Sequence, residues 1–173
     1  MSKKSLFIGI LLFCMVLVSA CASDNKEEEA VIFDAGSFSV TVPTGWSAFN
    51  VEDVLDEYDG NIKPNSVYII KDGSASYDII TKQYVLISHK ETGYKVYDSS
   101  VYANVEVIEE FTLGDTIWEG FSAENDGSPI VVLNTKDADD GTHIYIKLLA
   151  EDESMIEYDD IDIENIMKSI QYQ

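Results

Sequence analysis

The chain has 173 residues, 46% of them apolar and 25% charged, with 32 acidic residues against 11 basic ones and a formal net charge of −21. That length supports one domain with a substantial core, and the apolar share sets it apart from a disordered acidic tail. The charge excludes a nucleic-acid partner, because the lysines are scattered, arginine is absent and a polyanion would be repelled.

The first predicted element is a leader. Lys3 and Lys4 open the chain and residues 6–18 are uninterruptedly apolar or small, the pattern of a secretory signal. A membrane-spanning helix is the rival reading. At about 1.5 Å per residue, however, residues 6–20 reach only roughly 22 Å of a hydrocarbon layer roughly 30 Å thick. The run ends in Leu17-Val18-Ser19-Ala20-Cys21, an aliphatic residue followed by small residues and a cysteine. This stretch resembles the lipobox of bacterial lipoproteins. The resemblance implies cleavage after Ala20 and a diacylglyceryl thioether on Cys21. Two acyl chains, at about 0.8 kcal/mol per buried methylene, give an anchor of order 20 kcal/mol. The expected location is the cell membrane, lipid-anchored, on its extracytoplasmic side. Cys14 would leave with the leader, so no disulfide, cysteine-ligated zinc or cysteine nucleophile is expected afterwards.

Residues 22–30, with Glu27-Glu28-Glu29, lack apolar periodicity and read as a solvated tether. The expected organisation is therefore a signal peptide over 1–20, a lipidated cysteine and acidic linker over 21–30, and one domain over 31–173.

Within that domain, Phe38, Val40 and Val42 alternate with polar residues and predict a strand, ended by Pro43 in a Pro43-Thr44-Gly45-Trp46 turn. Trp46 is expected to plug the core. Asn50 reads as a helix cap before Val51, Val54, Leu55 and Tyr58, an apolar stripe that Gly60 stops. Val67-Tyr68-Ile69-Ile70 and residues 84–89 read as strands, while 77–82 fits helix and strand alike. Residues 105–112 and 116–122 flank Leu113-Gly114-Asp115 as a hairpin, and residues 130–133 and 142–149 form a second pair. Asp162, Ile163, Ile166, Met167 and Ile170 predict a closing amphipathic helix capped by Asp162, with Lys168 near its negative end. The fold class expected from these elements is α+β, an antiparallel β-sheet flanked by helices from both ends of the chain. The Pro43-Thr44-Gly45-Trp46 turn and the ending Glu164-Asn165-Ile166-Met167-Lys168-Ser169-Ile170 resemble the Mog1/PsbP-like group. That resemblance implies an α/β/α sandwich and an accessory or binding role without an active site.

Chemistry-bearing motifs are few. His89 and His143 lack partners at metal or base spacing, and His143, alternating with the apolar face of its strand, reads as a surface residue. No catalytic residue, cofactor or metal is assigned, and the chain is expected not to be an enzyme. Asp137, Asp139 and Asp140 form the one calcium-like loop, but Leu148 stands where an EF-hand needs its glutamate, so a polar turn is expected. Tyr94, Tyr97 and Tyr102 are a candidate recognition surface, because tyrosine supplies rigid amphipathic contact area. The leading expectation is a lipid-anchored extracytoplasmic accessory or binding domain for an envelope protein or glycan. A calcium- or glycan-binding protein is the alternative, and an envelope hydrolase the third.

Overall fold

A computed structural model describes residues 30–52, 62–89, 99–136, 142–147 and 160–173. Residues 1–29 lie outside it, so the cleavage site after Ala20, the lipidation of Cys21 and most of the linker do too. Among the described residues no helix is long and apolar enough to cross a membrane.

Ten strands and one α-helix organise this part of the chain. The strands are β1 (Val31–Asp34), β2 (Phe38–Val42), β3 (Trp46–Glu52), β4 (Ile62–Lys71), β5 (Tyr84–His89), β6 (Ala103–Leu113), β7 (Thr116–Asn125), β8 (Ser128–Thr135), β9 (Thr142–Lys147) and β10 (Gln171–Tyr172). The helix, α1, spans Ile161–Lys168. A small sheet runs β1-β2-β10 and a seven-stranded sheet runs β3-β4-β5-β9-β8-β7-β6, with every pairing antiparallel.

The main core lies between the large sheet and a layer made of β2 and α1. Val67, Ile69, Val85, Ile87, Val131, Leu133, Ile144 and Ile146 line one face of the sheet, and Phe38, Val40, Val42, Ile163, Ile166 and Met167 close over them. The alternation in β2 and the i, i+3, i+4 stripe in α1 are each matched to this one layer. Trp46 is buried as expected, and its Nε1–H donates to Asp162 Oδ2 at 3.1 Å, tying β3 to the helix start. The cap itself is Asp160, whose Oδ1 accepts from the Asp162 amide at 2.9 Å, so Asp162 serves the tryptophan instead of the helix end.

The expected fold class is overturned. The architecture is predominantly antiparallel β, and the described residues contain one α-helix beside a second small sheet, not an α/β/α sandwich flanked by helices. The error sits at Asn50. Instead of capping a helix, Asn50 pairs with Val67 in β3 and Val51 pairs with Lys63, across a register shift between them. Pairing with the long strand β4 outweighs the weak local cap signal. Residues 53–60, the rest of that predicted helix, lie outside the described residues. Two further strands, β1 and β10, carried too few residues to show a period. β7 and β8 form a further hairpin that the sequence reading does not contain, in which Asp126 (φ 51°) and Gly127 (φ 79°) take the paired left-handed positions that such a turn requires.

The ambiguous stretch near 77–82 resolves into a 3-10 turn at Ser76–Ile80 after Ser74. Asp78 Oδ2 organises it, accepting from Ser74 N–H at 2.7 Å, Ser74 Oγ–H at 3.1 Å, Ala75 N–H at 3.2 Å and the Lys82 ammonium at 3.4 Å. These bonds, the Ser74 amide foremost, hold the Asp78 carboxyl below the usual carboxylate range although burial opposes them. A depressed folded-state value means that the contribution is present above the unfolded value and is lost as pH falls through the folded one. The melting temperature of the wild type should therefore exceed that of Asp78→Asn at neutral pH, with the gap closing on acidification below the ordinary carboxylate range. A gap independent of pH in thermal melts would remove Asp78 as the source.

Candidate functional site

The second face of the large sheet carries the feature that the sequence concealed. Cross-strand register sets Glu119 of β7 opposite Asn134 of β8, Asn134 opposite His143 of β9, His143 opposite Ser88 of β5, and Ser88 opposite Ser66 of β4. This is one polar row across five strands. Four of its members are buried, Asn134 at 5% and His143 at 6% exposure among them. Buried polar groups need partners, and these have them. His143 Nδ1–H donates to Asn134 Oδ1, and the Ser66 and Ser88 hydroxyls share a hydrogen bond of 2.9 Å. His143 is therefore an interior residue and not the surface residue expected from its strand pattern.

Serine, histidine and asparagine on adjacent strands have the order of a nucleophile, base and orienting group. Geometry argues against that chemistry. The Ser88 hydroxyl is bonded to Ser66, and both Ser88 and His143 are buried among strands, whereas a nucleophile must be open to its substrate. The row acts as a buried polar seam whose hydrogen bonds tie β4 to β5 and β8 to β9.

Where the seam reaches the sheet's end, it opens. A groove of about 400 Å³ is lined by Val107, Glu109, Glu110, Glu119, Phe121 and Asn134, together with three neighbours in sequence or space. Three strands place these side chains. Val107 pairs with Phe121 and Glu119 with Asn134, which gives the groove an apolar wall and a polar floor. The register shift between Ile108 and Phe111 sets Glu109 and Glu110 together opposite the single residue Glu119, one residue more than regular pairing allows, and both line the groove. Glu110 is ion-paired with Lys136. Glu109 and Glu119 have no ion pair among the described residues. Behind Phe121, Ala123, Ile130 and Val132 form a small second core, against which Tyr102 packs with its ring 5.7 Å from that of Phe121.

The sequence-derived candidates fall differently. Tyr102 is half-buried in that second core, so it does not project from an open recognition surface; Tyr94 and Tyr97 lie outside the described residues. Asp137, Asp139 and Asp140 also lie outside them. Among the described residues no group of three or more histidine, cysteine or carboxylate side chains is placed to hold a metal ion. His89 sits far from the groove in register, at the end of β5, where its Nδ1 is 2.9 Å from Ser37 Oγ and its ring 5.2 Å from that of Tyr172. It fastens the large sheet to the small one.

No protein-family model and no curated protein matches the chain. Among solved structures it is similar to the solution structure of cyanobacterial PsbP (CyanoP) from Synechocystis sp. PCC 6803. The identity is 10% and the TM-score 0.41, over 84% of this chain and 92% of that chain.

Proposed function

We propose that the chain is a lipid-anchored extracytoplasmic binding module that meets an envelope partner through the groove beside β6. The Leu17-Val18-Ser19-Ala20-Cys21 stretch supports the anchor. The observation that carries the binding role is the groove's composition. It offers an apolar wall of Val107 and Phe121 beside the carboxylates of Glu109 and Glu119, while the nearest imidazole, His143, is buried behind Asn134. Such a surface can hold a partner. For acid–base chemistry it offers carboxylates alone, with no histidine open to the groove among the described residues.

Chemical crosslinking in intact cells, combined with membrane fractionation, tests the reading. The wild-type chain should be recovered with membranes and crosslink to an envelope protein, and Cys21→Ser should lose both. Two acyl chains bind a bilayer by of order 20 kcal/mol, so release should be essentially complete. A Cys21→Ser chain that is cleaved normally and still pellets with membranes would end the anchored reading, and a membrane-bound chain that forms no envelope crosslink would end the binding reading.

A further inference from the structure

A binding module needs a partner of stated chemistry, and β6 supplies the criteria. This strand terminates the seven-stranded sheet, so one side of its backbone has no neighbouring strand among the described residues. It is 11 residues long and largely exposed, including Val107 at 79%. Its charged side chains, Glu106, Glu109 and Glu110, are all exposed. Two register shifts interrupt its pairing with β7, one on each side of the segment Glu106-Val107-Ile108.

Bulges and charges on an edge strand are the devices by which sheet proteins avoid pairing with their own kind. A second copy laid antiparallel on β6 would set glutamates against glutamates, within two chains that each carry a net charge of −21. The same devices accept a strand of the opposite sign. Cationic side chains on one face of such a strand would meet Glu109 and Glu119, and apolar ones would cover Val107 and Phe121. Glu106, Glu109 and Glu119 have no ion pair among the described residues and remain available for this purpose.

We infer that β6 and its groove receive an extended, lysine- or arginine-bearing segment of the partner as an added strand. This inference rests on the binding-module reading. Main-chain hydrogen bonds along the open edge supply affinity, and the carboxylates select the sign of the incoming strand.

The test titrates the purified full chain, in neutral detergent, with a short peptide alternating lysine and valine and with its glutamate counterpart. Amide hydrogen exchange is followed in parallel. The lysine peptide should bind and slow exchange within Ala103–Leu113, and the glutamate peptide should not bind. Joint replacement Glu106→Lys, Glu109→Lys and Glu119→Lys alters only exposed side chains, so the melting temperature should hold. Exposed pairs are individually weak but three are reversed together, so the variant should bind the lysine peptide about tenfold or more weakly and gain affinity for the glutamate peptide. Equal affinity for both peptides overturns the inference. So does protection falling outside β6, unchanged affinity in the variant, or a concentration-dependent dimer that protects β6 without peptide. Cellular crosslinks that survive the triple reversal overturn this inference alone, whereas absence of any envelope crosslink takes the binding module down with it.

Discussion

Gly120→Ala is expected to destabilise the fold by about 3 kcal/mol or more, because the added methyl group has nowhere to go. A Cβ at position 120 would lie 1.9 Å from the carbonyl oxygen of Val132, 2.9 Å from its carbonyl carbon and 3.0 Å from Leu133 Cα. All three are backbone atoms, so no side-chain rotation relieves the contact. Relief requires β7 and β8 to part, and β8 cannot shift cheaply. It sits between β7 and β9 and buries Val131 and Leu133 in the main core and Ile130 and Val132 in the second. Gly114→Ala is the internal control. That glycine occupies the β6–β7 turn at φ +63° with nothing within 4 Å of its Cβ position, so its substitution should cost only the left-handed backbone penalty of roughly 1 kcal/mol. Urea unfolding of both variants gives the comparison. If Gly120→Ala lies within about 0.5 kcal/mol of wild type, the close approach of the two strands is not real.

How far the sequence could be read depended on whether a pattern is local. Residues 84–89 carry β-rich residue types and the stripe of Ile163, Ile166 and Met167 its own periodicity, and the structure places a strand and a helix there. Leu113-Gly114-Asp115 carries its own turn chemistry, and Gly114 takes the left-handed conformation that the turn needs. Asn50 failed for the opposite reason. Its fate is set by β4, residues distant in sequence, and a polar residue ahead of an apolar stripe is only a weak instruction. The seam failed because alternation cannot say what lies beyond a sheet. Ser66, Ser88, Asn134 and His143 alternate with apolar residues as a solvent-facing row would, yet all four are buried. What could have pointed to them is chemical, since histidine, asparagine and serine at matching places on several strands can satisfy one another when dry. The groove was less legible still. Glu109 and Glu110 enter it through a bulge, and no periodicity marks where a strand gains an extra residue.

Asn134→Leu should destabilise the protein by about 2 kcal/mol, and the reason lies in what it leaves behind. His143 is 6% exposed and gives its Nδ1–H to Asn134 Oδ1. Leucine offers no acceptor, so the buried Nδ1–H would lose the partner that Asn134 supplies. His143→Phe strands the asparagine acceptor in the same way, and it also loses the further interaction that His143 makes. Removing both partners leaves neither group stranded. The double variant Asn134→Leu/His143→Phe should therefore cost less than the sum of the single costs by about 1 kcal/mol or more, the coupling expected of groups in one buried network. Chemical denaturation of the four proteins closes the cycle. Strict additivity would mean that the two side chains are buried side by side without depending on each other, and the seam would lose its role in tying β8 to β9. The same variants separate the seam from the groove, since Asn134 contributes to the groove's lining and His143 stands behind it. In the lysine-peptide titration, Asn134→Leu should weaken binding as well as stability. His143→Phe should lower stability alone, because the carboxylates and the open edge of β6 that meet the peptide are left in place.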